Sequence, residues 1–314
     1  MKTVLKRHRT TGRSIARNKE LHIQKGGRQM RRIPAMFCIP AAVILVAAAL
    51  AILLPVCFTL LGSLMSPGEI EHYFGPVYEG TAEETVRLHL LPDRLSLESW
   101  YQVLLRRPDY LIKFWNSLLL CTAIVLGQLT VSCMGGFAFA KYSFPHKQVL
   151  YYILIILMLM PVQVTLVPNY IVLDWLGLLD RWACLVLPVA LAPFGTFLMT
   201  QVFKSVPDEL LDAARLDGAS TGQQLVRIMI PAAQSGVVSL ALLAFIDAWN
   251  MVEQPVTFLQ DASRYPLSVF LASVNSENFP LSFACGVLAL LPVLLLFLFF
   301  QKELVQGIEF SGLK

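Results

Sequence analysis

Asp247 is the only acid well inside a long apolar run of this 314-residue chain, with Trp249 and Asn250 close behind it. A carboxylate at the centre of a hydrocarbon layer costs about 2.5–3.5 kcal/mol on insertion scales, so it must face a partner or a water-filled cavity. Near the end of its run that cost is lower. Two roles fit Asp247: a group lining a path or gate, or a structural hydrogen-bond partner. Trp249 likewise offers either a flat face for stacking or an anchor at a membrane interface. Asn116 and Gln163 are polar within apolar runs too, and hydrogen bonds between helices suit them.

Covalent chemistry finds no constellation. The six cysteines (Cys38, Cys57, Cys121, Cys133, Cys184 and Cys285) all sit in apolar stretches with no CxxC spacing, which reads as small buried hydrophobes. The five histidines are scattered and form no ligand pair. A phosphate-cradling GxxxxGK[ST] and an HExxH are both missing from the sequence. No catalytic residue, metal or cofactor is expected, and the chain reads as a non-enzyme.

The most informative polar stretch is Ser205 to Pro231, SVPDELLDAARLDGASTGQQLVRIMIP. Pro207 suits a first helical position, and Asp208 and Glu209 suit the positive end of a helix dipole. Leu210, Leu211, Ala214 and Leu216 give that helix an apolar side. Asp217-Gly218 reads as a helix stop, because glycine enters the left-handed region cheaply. A second short helix follows through Gln223, Gln224, Leu225 and Ile228, until Pro231 opens the next run. This is a helix–turn–helix either docking a soluble partner or resting on the lipid surface.

The elements that hold these residues are membrane helices. Apolar residues make up 56% of the chain and charged ones 15%, against about 25% charged in soluble domains. Six runs can cross a hydrocarbon core: 39–64, 112–139, 149–172, 182–203, 231–249 and 281–300. Lipid offers no partner to backbone amides, so each run must be helical, and no alternating ten-residue strands suggest a barrel. The first run is too long for a cleaved signal and reads as an uncleaved span. The fold class is therefore all-α, a polytopic bundle of six transmembrane helices.

Charge sets the orientation. Eleven cations and one acid, Glu20, precede Pro34. With that tail inside, 18 cations are cytoplasmic and six are external, so both termini are placed in the cytoplasm. The tail suits anionic headgroups better than nucleic acid, and no nucleic-acid partner is expected. The chain divides into a basic tail (1–34), a first span (35–65), an external loop (66–110) and a core of five spans (111–314) with its polar loop at 204–230. Within the external loop, Ser96 can cap a short helix that brings Trp100 and Tyr101 to the interface.

Asp212-Ala213-Ala214, three residues, Gly218, nine residues, then Ile228-Met229-Ile230-Pro231 resembles the coupling loop of binding-protein-dependent ABC permeases. That family's pattern is Glu-Ala-Ala, three residues, Gly, nine residues, Ile, any residue, Leu, Pro. Asp212 stands here for Glu and Ile230 for Leu. Asn116-Ser117-Leu118, Gly136 to Lys141, Phe144-Pro145, Trp249-Asn250 and the tail from Gln301 to Lys314 are similar to the sugar-importer branch, of the maltose-permease type. The likeness spans roughly residues 95–314.

The resemblance implies a type I importer fold with ABC ATPase subunits, a second permease subunit, an extracellular solute-binding protein and a surrounding bilayer. It assigns ATPase coupling to Asp212, Ala213, Ala214, Gly218, Ile228 and Pro231, and leaves Asp247, Trp249 and Asn250 as candidates for the path or gate. On this likeness the solute is a sugar or oligosaccharide. The alternatives are a permease of the same type for a peptide, amino acid or metal, and a membrane scaffold that transports nothing.

Overall fold

A computed structural model of the chain describes residues 35–78, 89–106, 108–277 and 279–312. The basic tail, most of the charged middle of the external loop, Lys314 and the side chains beyond Glu303 lie outside the described residues. The chain forms two compact units, one ending at Pro55 and one beginning at Val56. Helix α1 (Ala35–Gly62) contains Pro40 and Pro55 and exposes an unbroken run of aliphatic side chains from Val43 to Leu54. Such a surface is stable only against hydrocarbon.

The second unit continues through α2 (Pro67–Tyr78) and α3 (Glu98–Tyr101), the latter prolonged by a π-helical turn, Gln102–Arg106. Leu97, not Ser96, holds the N-cap position of α3, although the Ser96 hydroxyl accepts from Glu98 N at 3.2 Å. The Trp100 indole donates to Ser63 O at 3.0 Å, which pins this short helix to the end of α1.

Five spans complete the unit. They run through α4 (Pro108–Lys141), α5 (Lys147–Met158), α6 (Val162–Trp175), α7 (Ala183–Ala190), α8 (Pro193–Lys204), α9 (Glu209–Leu216) and α10 (Thr221–Ala232). After these come α11 (Gln234–Trp249), α12 (Glu253–Phe258), α13 (Leu267–Glu277) and α14 (Phe279–Gly312). Among the described residues, four helical stretches are long and apolar enough to cross a membrane unaided. Two bent pairs, α5 with α6 at 107° and α10 with α11 at 86°, bring the total to six when each pair counts as one span.

The bends have local causes. Pro161 sits at the N-cap of α6 in extended backbone, and a proline there cannot continue the preceding helix. At the second bend the chain breaks at Ala233 (φ −109°, ψ 23°), two residues after Pro231. Helix α11 therefore starts at Gln234, and Pro231 lies in α10 instead of opening α11.

The long α4 is the axis of the second unit and lies closest to α8. Their approach depends on absent side chains. A Cβ on Gly136 would lie 2.6 Å from Met199 Cβ, and one on Gly195 would overlap Ser132 Oγ. Small residues at these crossings let backbones meet and gain dispersion contacts where lipid gives helices no hydrophobic reason to associate. Two buried clusters fill the bundle. One gathers Leu120, Ile124, Leu185, Phe258 and Leu267; the other gathers Phe137, Met199, Phe203, Leu211 and Met229. Four cysteines are buried in this packing, whereas Cys57 is exposed on α1.

Candidate coupling surface and translocation cavity

The segment after α8 is tied down before its first helix begins. Lys141, the last residue of α4, donates through Nζ to Val206 O at 2.5 Å and to Asp208 Oδ1 at 2.6 Å. The ammonium beside Asp208 holds its carboxyl below the ordinary carboxylate range, by hydrogen bond first and charge second. Asp208 thus directs its oxygen at Lys141 and makes no side-chain cap, and α9 begins at Glu209, two residues later than Pro207 alone suggests.

Helix α9 divides its apolar residues. Leu211, within the cluster of Phe137, Met199, Phe203 and Met229, and Ala214 are buried, whereas Leu210 is exposed and Leu216 is 90% exposed. The apolar side expected from four residues is therefore two inward and two outward. Asp212 pairs with Arg215 at 3.0 Å on the exposed face, beside the exposed Ala213.

The helix then stops as its sequence dictates. Gly218 adopts φ +79°, its N–H reaches Arg215 O at 3.1 Å, and Ala219 N reaches Ala214 O at 2.9 Å. These two bonds satisfy the last carbonyls of α9 in a Schellman arrangement. Immediately afterwards Ser220 and Gln223 form a reciprocal capping box that starts α10. Its signal, Ser220-x-x-Gln223, is plain in the sequence.

Within α10 a π turn, Leu225–Met229, rotates the helix so that Met229 is wholly buried while Ile228 is half-buried and Pro231 exposed. Gln224, buried, donates to Ala219 O at 2.8 Å across the turn. The structure thus brings Asp212, Ala213 and Gly218 onto one exposed knob, turns Ala214 inward, and sets Ile228 and Pro231 along the stem that leads to α11.

A second feature lies deeper. A cavity of about 670 Å³ opens between α4, α5, α6, α7, α8, α11 and α12. Its polar lining comprises Gln128, Thr165, Asn169, Asp247, Asn250 and Gln254 within apolar walls, with no Lys or Arg among the described lining residues. Asp247 and Asn250 are together here, and Asn250 also donates to Ile246 O at 2.9 Å.

Trp249 is elsewhere. It is buried, stacks on Phe245, meets Phe114 edge-on and donates to Ala289 O at 3.2 Å. Its surroundings are those of a packing anchor between α4, α11 and α14. Gln128 was missed at the level of sequence. It is buried, its Oε1 has no hydrogen-bond partner among the described residues, and a polar side chain in the middle of the apolar α4 was the available signal. Asn116 donates to Ser263 O and Gln163 to Glu253, both linking neighbouring segments as interhelical bonding predicts.

A polytopic helical membrane protein with a polar helix–turn–helix knob and an uncharged-to-acidic central cavity is the class that fold and site define. Residues 132–309 match the family model for the binding-protein-dependent transport system inner membrane component, and the chain belongs to that family. It is similar to the arabinooligosaccharides transport system permease protein AraQ of Bacillus subtilis, 28% identical over 83% of this chain and 90% of that one. It is also similar to AraQ of Halalkalibacterium halodurans (27% identical over 71% of this chain and 81% of that one). The sn-glycerol-3-phosphate transport system permease protein UgpE of Yersinia enterocolitica is 30% identical over 63% and 72% respectively. The fold matches a chain of a bacterial ABC transporter involved in alginate import, with a TM-score of 0.72 at 24% identity over 86% of this chain and 97% of that one. A second chain, from the alginate transporter in complex with an alginate pentasaccharide-bound periplasmic protein, matches with a TM-score of 0.59 at 14% identity over 87% and 96%.

Proposed function

We propose that this chain is a membrane-spanning permease subunit of an ATP-driven importer that passes a sugar or oligosaccharide delivered by a solute-binding protein. The observation that carries this reading is the knob at Asp212–Gly218, ordered by its own caps and tethered to α4, in a chain of this transport family. In this reading the knob docks on a separate ABC ATPase subunit, with Asp212, Ala213 and the bare Leu216 offered to it. Closure of the ATPase is passed through Lys141 and the buried Leu211–Met229 contact region into α4 and α11. A second permease subunit completes the pathway, and both termini face the cytoplasm.

The cavity supports a neutral, hydroxyl-rich solute. Its amides, Thr165 and the Asp247 carboxylate can exchange hydrogen bonds with hydroxyls, and sugar recognition rests on such donors and acceptors within partly apolar walls. A phosphorylated solute, the class named for the UgpE relative, would meet a carboxylate and no cation there.

The test is uptake in proteoliposomes holding this chain with the ATPase, second permease and binding protein from the same genome. A panel of arabino-oligosaccharides, other oligosaccharides and glycerol 3-phosphate should show ATP-dependent uptake of a neutral saccharide. Uptake confined to the phosphate ester, or none without loss of assembly, refutes the substrate reading.

A further inference from the structure

The structure brings together three residues that the sequence keeps 20 and 4 positions apart: Glu69 in the first turn of α2, His89 and Asp93. One ligand atom from each, Glu69 Oε, Asp93 Oδ and a His89 ring nitrogen, falls within 4.8 Å of the others. His89 Nε2 lies 3.6 Å from Glu69 Oε1 and 3.3 Å from Asp93 Oδ1, yet it is sealed from solvent and has no hydrogen-bond partner among the described residues.

Such an arrangement points lone pairs and negative charge at one small volume. A divalent cation held there would take the lone pair of the ring nitrogen and be stabilised by both carboxylates.

The supporting contacts are those that position ligands. The His89 ring stacks on Tyr73 with centroids 4.1 Å apart and planes 8° apart. Tyr73 OH donates to Asp93 Oδ2 at 3.1 Å, and Asp93 N donates to Glu69 Oε1 at 2.7 Å. Outer contacts of this kind fix the orientation of metal-binding imidazoles and carboxylates. Glu69 is 8% exposed while Asp93 is 60% exposed, so one side is closed and the other admits an ion and its water.

We infer that Glu69, His89 and Asp93 bind a divalent first-row transition-metal ion, of which Zn²⁺ is the probe of choice, in the segment between the first two spans. One imidazole and two carboxylates with a free position suit Zn²⁺, whereas Mg²⁺ and Ca²⁺ prefer oxygen ligands alone. The ion would clasp residues 89–93 to the start of α2. This site is independent of the cavity and of the coupling knob.

The full-length chain, purified in detergent and stripped with chelator, is titrated with Zn²⁺ and with Ca²⁺ by calorimetry at neutral pH. One Zn²⁺ per chain should bind, at least about tenfold more tightly than Ca²⁺, and raise the unfolding temperature. His89→Gln and Asp93→Asn should each weaken Zn²⁺ at least about tenfold, and Tyr73→Phe should weaken it less. The wild-type titration needs no variant, so it decides whether an ion binds even if a variant folds poorly. Equal Zn²⁺ and Ca²⁺ binding, unchanged affinity in folded His89→Gln and Asp93→Asn, or an unfolding temperature that responds to pH but not to Zn²⁺ would each overturn the site.

Discussion

Lys141 Nζ lies 2.6 Å from Asp208 Oδ1, and the two residues differ sharply in setting: the lysine side chain is 5% exposed and the aspartate 76%. The last residue of the longest span thereby holds the first charged residue of the polar knob. A buried ammonium is costly unless its donors are used, and Val206 O takes a second of them. Replacing Lys141 with Met should free the segment while leaving the bundle assembled. We expect ATP hydrolysis to continue and saccharide uptake to fall, measured side by side in proteoliposomes; equal uptake per ATP would contradict the tether.

The same pair sets a pH dependence. Lys141 depresses the Asp208 pKa in the folded protein, so its stabilising contribution is present above the unfolded carboxylate pKa. It is lost as pH falls through the lower, folded value. Limited proteolysis at residues 205–219 should therefore stay slow at neutral pH and quicken in acid below the ordinary carboxylate range. Asp208→Asn should be fast already at neutral pH and should lose most of the acid response.

Gly218 has φ +79°, and a Cβ there would meet nothing within 4 Å. Only the backbone resists substitution, by roughly 1–2 kcal/mol for an ordinary L-residue in the left-handed region. Gly218→Asn should be mild, because Asn tolerates that region. Gly218→Val should disorder the knob and abolish uptake while membrane insertion persists. Uptake equal to wild type in Gly218→Val would remove the case for a shaped knob.

At Gly136 the opposite applies, because space is lacking and conformation is not. With Met199 Cβ at 2.6 Å, Gly136→Ala must part α4 from α8, and overpacking costs about 1–3 kcal/mol. The thermal midpoint in detergent should fall clearly. Gly75→Ala, where the nearest atom is Glu71 Cγ at 3.8 Å, should move it little.

Asp247 and Trp249 are two residues apart but should fail differently. Trp249→Ala leaves a cavity and removes the indole's hydrogen bond to Ala289 O, costing about 3–5 kcal/mol of stability. Asp247→Asn and Gln128→Leu, both on the cavity wall, should leave the thermal midpoint nearly unchanged and lower uptake or alter solute preference. A destabilised Asp247→Asn with normal uptake would make that carboxylate structural.

Local rules account for what could be read from the residues alone. Apolar runs of span length dictate helices because hydrocarbon leaves backbone amides no other partner, and the stop at Gly218 follows from the one residue that enters φ > 0 cheaply. The Asp212–Pro231 spacing marked the knob for the same reason: its caps and turns are satisfied within a few residues.

Contacts across distant sequence lay beyond such reading. Helical periodicity could not say which of Leu210, Leu211, Ala214 and Leu216 turn inward, since that depends on where Phe203 and Met229 arrive. Trp249 and Asp247 are neighbours in the chain, yet only the placement of α14 gives the indole its carbonyl and leaves the carboxylate on the cavity. The meeting of Glu69 with His89 and Asp93 was likewise hidden, because ligand spacing is visible in sequence only when one helix or tight turn supplies the ligands. The sequence determined the membrane helices and the self-capped knob through short-range backbone satisfaction. Tertiary packing decided which side chains share a cavity, an ion pair or a cluster, because those depend on the close approach of helices far apart in the chain.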